Sequence, residues 1–301
     1  MIILTGASGF IGYNILKSIN SDSFFSNHEV IIIDKDDGKK LINNKDINFS
    51  QYIDYEDIDK INSLDWNSST LIFHLGACSD TTEMNSEYLK KINLDSSKFW
   101  LEKTIDHSST LLYASSASVY GDRPEEMGSF SECDKKFPIN LYAKSKADFD
   151  DYLLTTDIKN ATIFGLRYFN VFGPGEDHKK NMCSPIMHFC KQAIELSELR
   201  IFSGYDEYSS KSYKRDFIYI EDAVNLTISL AKKGLQKSSE KKIFNIGSGQ
   251  SHSFYKIAEI VAAEAKKYAD KDIKINEVPF PNHLKNKYQH FTKASQEKIF
   301  N

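Results

Sequence analysis

A chain of 301 residues that is 41% hydrophobic and 27% charged is long enough to bury a large core and ordinary in composition for a globular protein. Its formal net charge of -4 leaves no basic excess to neutralise phosphates, which argues against nucleic acid as a partner. No apolar run approaches the roughly 20 residues of a membrane helix, and the start, Met1-Ile2-Ile3-Leu4-Thr5-Gly6, lacks the regions of a secretory signal, so the expected compartment is the cytoplasm, with no membrane partner.

In chain order, Ile2 to Thr5 reads as a strand and Phe10 to Ile19 as a helix, from apolar residues at helical spacing. The continuous apolar run from Glu29 to Asp34 predicts a strand buried on both faces. Leu71 to Leu75 is a further strand, followed by a helix over Ser86 to Thr104 and a strand over Thr110 to Ser115. Leu141 to Leu154 reads as helix and Ala161 to Arg167 as strand. Gly173-Pro174-Gly175 then breaks the pattern. A helix is expected over Pro185 to Leu196, a polar loop over Tyr205 to Lys214, and a strand around Phe217 to Ile220 that returns to the first domain. This alternation predicts an α/β fold with a doubly wound parallel sheet of Rossmann type and a smaller, discontinuous C-terminal substrate lobe. The expected division assigns 1–170 and 216–245 to the sheet domain and 171–215 and 246–301 to the lobe. The scattered Cys78, Cys133, Cys183 and Cys190 form no close pair and are expected to be reduced and mostly buried, with no metal site.

Gly6, Gly9 and Gly12 stand between the first strand and the first helix. Glycine there permits a tight turn and close approach of the backbone to a pyrophosphate, which the helix N-terminus attracts. Asp34, ending the next strand, is placed for the adenosine ribose hydroxyls, so a nicotinamide dinucleotide is expected. Asp34 favours a free 2′-hydroxyl, whereas Lys35, Lys39 and Lys40 suit a 2′-phosphate or are simply solvated loop charges. NADP is the expected cofactor, with NAD the alternative.

Tyr142 and Lys146 lie four apart, on one face of the predicted helix. A free tyrosine titrates near 10, and bringing it to neutrality takes roughly 4 kcal/mol of differential stabilisation. An adjacent ammonium and the positive nicotinamide ring both act in that direction. Ser116, at the end of the preceding strand, is placed to hydrogen-bond the reacting oxygen.

Six segments together resemble the extended short-chain dehydrogenase/reductase family: GASGFIG at 6–12, SSASVYG at 115–121, YAKSK at 142–146, RYFNVFGP at 167–174, RDFIYIEDA at 215–223 and FNIGSG at 244–249. HLGACSDTTE at 74–83, GEDHKKNM at 175–182 and PFPNHLKNKYQHFT at 279–292 resemble more narrowly the ADP-glyceromanno-heptose 6-epimerases of that family. The resemblance implies an isomerase that inverts C6 of the heptose in ADP-D-glycero-D-manno-heptose through a transient 6-keto sugar, for lipopolysaccharide core synthesis. It implies a homo-oligomer, a homopentamer in the family, and a role for Lys179 as a second acid/base opposite Tyr142; the pair Lys179-Lys180 alone does not single out one of the two. Implied cofactor contacts extend to Phe10, Ile11, Leu75, Gly76, Ala77, Cys78, Ser79, Asn93 and Val171. Implied substrate contacts are Ser116, Asn170, Asn181, His188, Phe202, Ser203, Gly204, Tyr205, Arg215 and Tyr288. This sequence departs from the family at Tyr55, where a basic residue is frequent, at Leu75 in place of an acid, and at Asn181 in place of a small residue. A final helix of the family is also expected beyond the stretch that ends at Asn301.

A UDP-hexose 4-epimerase on the same scaffold is the nearest alternative. A dehydratase would be expected to have an acid pair where Ala117 and Ser118 stand. A non-catalytic NAD(P)-binding protein would have no need for serine, tyrosine and lysine in this order.

Overall fold

The computed structural model describes residues 1–35, 41, 44, 46–122, 125, 128–205, 209–270, 272–285 and 288–297, without the side chains of Lys180, Asn181 and His283. The strands are β1 (Ile2–Thr5), β2 (Val30–Asp34), β3 (Gln51–Asp54), β4 (Leu71–His74), β5 (Thr110–Ser116), β6 (Thr162–Tyr168), β7 (Asn170–Phe172), β8 (Glu198–Phe202), β9 (Lys214–Tyr219), β10 (Glu240–Ile246), β11 (Ser251–Ser253) and β12 (Lys274–Val278). The helices are α1 (Phe10–Ser21), α2 (Ile58–Asn62), α3 (Ser86–Leu89), α4 (Ser96–Asp106), α5 (Leu141–Thr155), α6 (Pro185–Glu195), α7 (Ile220–Leu235) and α8 (Phe254–Ala269). The chain forms two compact units, one of Met1–Ser116, Leu141–Arg167 and Ile220–Phe244, the other of Ala117–Asn140, Tyr168–Tyr219 and Asn245–Asn301.

The first unit is built on a seven-stranded sheet in the order β10-β6-β5-β4-β1-β2-β3, a Rossmann-type α/β arrangement. β1 runs parallel to β2 and β4, β2 to β3, and β4 to β5. The apolar runs explain the burial: every residue of β1 and β4 is buried, because helices cover both faces of such a sheet. Each large side chain so buried contributes about 1.5–3 kcal/mol. Register sets Thr5 opposite both Ile33 and His74, and His74 opposite Tyr113. The carboxyl ends of the central strands are therefore level, and the loops leaving them share one edge of the sheet.

The helix expected over 86–104 is present, but in three pieces. Between α3 and α4 the turn over Lys90–Asp95 is π-helical. A π turn carries a surplus residue and persists only where side-chain contacts hold it. Asn93 supplies them: its Oδ1 accepts from the Cys78 N–H at 2.8 Å, and its Nδ2 donates to the Cys78 carbonyl at 3.1 Å.

At the far end of α5, Lys241 Nζ donates to the carbonyls of Leu153, Leu154 and Thr156 at 3.2, 2.8 and 2.8 Å. A cation there satisfies carbonyls that the helix leaves open and complements its dipole. Lys241→Met is expected to lower stability by about 1–2 kcal/mol, measured by urea denaturation.

In the second unit β7 pairs parallel with β9 and β9 antiparallel with β11, while β8 pairs parallel with β12. Phe189, Ala193, Leu199, Ile201, Phe217, Ile257 and Ala258 form its core. The strand expected to return to the first domain near Phe217 is thus a member of the small sheet, and the return begins at Ile220. The cause is Asp216, whose buried carboxylate accepts from the N–H groups of Ser248, Gly249 and Ala294 at 2.7, 2.9 and 2.9 Å and binds β9 to this unit. Residues 117–140, expected in the sheet domain, also belong here. Among the described residues no helix is long and apolar enough to cross a membrane.

Candidate active site

Gly6 adopts φ +71°, and a Cβ there would lie 2.6 Å from the Gly76 nitrogen. A Cβ on Gly12 would collide with the Gly6 carbonyl. These two glycines are demanded by the chain's own packing. Gly9 differs: its Cβ would meet only the Gly6 oxygen, at 3.2 Å, so glycine there chiefly leaves the backbone open to an approaching group. Gly9 caps α1 without a side chain, and no acid stands in the first helical turn, where Phe10 and Ile11 begin the helix. Such an N-terminus attracts an anion. Asp34 accepts from the N–H of Ser8 at 2.9 Å and of Lys35 at 2.8 Å, which fixes its carboxylate beside the loop. Lys35 is exposed, and Lys39 and Lys40 lie outside the described residues. The loop after β4 runs through half-buried Leu75, Gly76, Ala77 and Cys78 to exposed Ser79.

Ser116 ends β5 and Tyr142 lies in the first turn of α5. The Ser116 hydroxyl hydrogen-bonds the Tyr142 phenol. Burial raises the phenol above its ordinary pKa, and the Ser116 bond pulls the other way. This corrects the expectation that Lys146 lowers Tyr142. The Lys146 ammonium is buried and donates to the Ala114 carbonyl at 2.9 Å, and desolvation brings its own pKa down to about 8 against the opposing charge of Asp150. Asp150 is fully buried and paired to Arg167 at 2.8 Å. Asn93 joins this group through Ser145, its Nδ2 donating to Ser145 Oγ at 3.0 Å.

His74, at the end of β4, is the residue here that sequence reasoning passed over. Burial lowers its pKa from 6.5 to about 3, so the ring is neutral in the folded chain. The unfolded chain takes up the proton first as pH falls. Stability tied to His74 is therefore whole above pH 6.5 and is lost as pH falls from there toward 3. Urea titrations at pH 7 and at successively lower pH should show that decline, with a shallower slope in His74→Asn.

In the second unit Lys179 lies in the turn Asp177–Met182, its Nζ 4.0 Å from Glu176. Burial lowers the Lys179 pKa and Glu176 opposes this. Glu176 is itself buried and accepts from the N–H of Gly173 at 3.1 Å and from the Ser184 N–H and hydroxyl at 2.5 and 2.8 Å. That clamp fastens the turn to the N-terminus of α6, and nothing in the local run GEDHKK marks it, because its partner Ser184 lies eight residues on. His188 Nε2 lies 3.4 Å from Cys183 Sγ. The Asn181 side chain lies outside the described residues. Asn170 and Val171 begin β7. The guanidinium of Arg215 lies 4.9 Å from the Tyr288 ring centre and 5.5 Å from that of Phe254, and it donates to the carbonyls of Lys214 and Gln289. Phe202 ends β8; Ser203 donates to the Val278 carbonyl at 2.7 Å, Gly204 follows, and Tyr205 packs on Phe280 at 4.4 Å between ring centres. Phe280 was not among the expected residues.

All four cysteines are free; only Cys183 is buried, fewer than expected, with Cys78 and Cys190 half-buried and Cys133 exposed. Among the described residues no cluster of His, Cys, Asp and Glu could hold a metal ion.

Residues 2–247 match the model of the NAD dependent epimerase/dehydratase family. The ADP-L-glycero-D-manno-heptose-6-epimerase of Helicobacter pylori is similar in structure, with a TM-score of 0.78 and 25% identity over 99% of this chain and 88% of that one. The UDP-N-acetylglucosamine 4-epimerase of Methanobrevibacter ruminantium has a TM-score of 0.78 at 22% identity, over 99% of this chain and 91% of that one. The UDP-glucose 4-epimerase of Thermus thermophilus, solved with NAD, has a TM-score of 0.72 at 21% identity, over 99% and 91%. The latter two likenesses speak to the fold alone.

Proposed function

Because the chain belongs to the NAD dependent epimerase/dehydratase family, we propose that it inverts C6 of the heptose in ADP-D-glycero-D-manno-heptose. The observation that carries the chemistry is the hydrogen bond from Ser116 to the phenol of half-buried Tyr142, with Lys146 on the same helix. The choice of substrate is supported by the segments at 74–83, 175–182 and 279–292 and by the likeness to the Helicobacter pylori enzyme.

The open backbone at Gly9, the uncapped start of α1 and the fixed carboxylate of Asp34 fit a nicotinamide dinucleotide. When bound, that cofactor supplies the acceptor and donor of hydride. In the mechanism proposed, the phenolate would be favoured by the positive ring of the bound cofactor, against the effect of burial. Tyr142 Oη then takes the proton of the C6 hydroxyl, and Ser116 turns its one proton from the phenol to the oxygen that becomes a carbonyl. Lys146, charged below about pH 8, would offer its ammonium to the bound dinucleotide. On return, with the keto sugar turned over, Lys179 Nζ gives its proton to the same oxygen, a role suited to an ammonium that burial has made more acidic. Arg215 offers its fork of donors to the diphosphate. Hydride is returned, so the cycle has no net redox change; the proton gained by Tyr142 then leaves to solvent and Lys179 regains one from solvent, which resets both groups.

Incubation with ADP-D-glycero-D-manno-heptose should give the L-glycero epimer by proton NMR. Conversion of UDP-glucose to UDP-galactose with no change in the heptose would move the reading to a 4-epimerase. Lys179→Met should slow heptose turnover by roughly 10²-fold while leaving dinucleotide affinity in place. Asp34 repels a 2′-phosphate and Lys35 attracts one, so the Kd values for NADP and NAD, in wild type and in Asp34→Asn, decide the cofactor; NADP is the form proposed.

A further inference from the structure

We propose that His74 is a positioning residue, an imidazole held as its Nε2–H tautomer that ties the phosphate-loop strand to the helix bearing Tyr142. The inference rests on the dinucleotide-dependent reading above.

The direction of every hydrogen bond follows from one that admits a single sense. Ser97 Oγ lies 2.6 Å from the Asn93 carbonyl oxygen, which can only accept. The serine proton is thereby used, so His74 Nε2, 3.0 Å from the same Oγ, must be the donor. The neutral ring then has its lone pair on Nδ1, which accepts from Thr5 Oγ1 at 2.9 Å. Thr5 Oγ1 in turn accepts from the Gly76 N–H at 2.9 Å. On the other side Asn93 donates to Ser145 Oγ, and Ser145 donates to the backbone carbonyl of Tyr142 at 2.7 Å.

The relay therefore starts beside Gly6, crosses from β1 to β4 through the ring, enters the π turn and ends on α5. His74 and Ser97 are 4% and 3% exposed and Asn93 is fully buried, so water does not substitute for the links among these three. Packing alone does not ask for histidine here: the ring faces Trp100 at 6.1 Å, a contact that phenylalanine could also make. A polar ring with one donor and one acceptor on opposite sides is what the two ends require.

The two ends separate by substitution. His74→Asn sets a carbonyl oxygen near the place of Nδ1, keeping the Thr5 link and losing the Ser97 link. His74→Gln sets an amide N–H near the place of Nε2, with the reverse result. NAD and NADP affinity, read by equilibrium titration, should stay within about twofold in His74→Asn and weaken roughly tenfold in His74→Gln, the effect of about one hydrogen bond. The Tyr142 phenol, titrated by ultraviolet difference against Tyr142→Phe in the dinucleotide-loaded chain, should shift in His74→Asn and stay in His74→Gln. Equal changes in both variants, or changes confined to Tm, overturn the proposal. Nitrogen NMR of the wild-type ring at pH 7 should find the proton on Nε2; a proton on Nδ1, or on both nitrogens, overturns it whether or not the variants fold. A wild-type chain that binds neither dinucleotide brings down the reading of the site, and this inference with it. A wild type that binds and variants that show no split bring down this inference alone.

Discussion

Tyr142→Phe is expected to lower kcat by roughly 10²–10⁴-fold, the usual worth of a positioned proton carrier. The substitution keeps the ring and removes only the oxygen that Ser116 bonds. KM for the nucleotide sugar and the Kd of the dinucleotide should change little, because the lost interaction is one made with the moving proton. Steady-state kinetics with the heptose substrate check the first statement and dinucleotide titration the second. Full turnover in this variant would remove the phenol from the mechanism, and with it the role given to Ser116.

Arg167→Leu should cost about 3–5 kcal/mol of folding stability, because it strands a carboxylate in the interior. Asp150 is fully buried, and Arg167 is 1% exposed. Nε donates to Asp150 Oδ2 at 2.8 Å, and the Tyr113 hydroxyl occupies Oδ1 at 2.9 Å. Domains of ordinary stability have only about 5–15 kcal/mol in total, so the variant is expected near the edge of folding at 37 °C. Arg167→Leu combined with Asp150→Leu should recover only part of the loss, since it removes the stranded carboxylate but leaves the buried Lys146 without its opposing charge. Guanidinium titration of the two variants separates these outcomes.

The sheet was legible because its strands are written as nearly unbroken apolar runs. Ile2-Ile3-Leu4, Val30 to Ile33 and Leu71-Ile72-Phe73 have no competing pattern, and their bounds are found to within a residue. In the second unit β9 was legible only over its apolar end, Phe217 to Tyr219, and β7 and β11 not at all, because they have three residues each and are held by tertiary bonds. Nothing in the residues around Asp216 announces that Ser248 and Ala294, far along the chain, will close on its carboxylate. At the site, Ser116, Tyr142 and Lys146 were legible from spacing, since strand end and helix face are local properties. The direction of the Tyr142 pKa was not, because it depends on how much water the fold removes from the phenol. His74 and Glu176 were missed for a like reason. Each does its work through partners distant in sequence or in the register of neighbouring strands, which only the folded chain brings together.

The surplus residue over Lys90–Asp95 sets regularity against use. Deleting any one of those six residues would let α3 run into α4 as a single even coil. It would also swing the side chains on one side of the cut by about 100°, the angular step of an α-helix. Asn93, where it is not itself the residue cut, would then lose either its Cys78 bonds or the bond its carbonyl accepts from Ser97 Oγ, depending on which side the cut fell. A shorter and more perfect helix is thus a poorer support for the tyrosine, and length changes in this stretch should be far less tolerated than most substitutions.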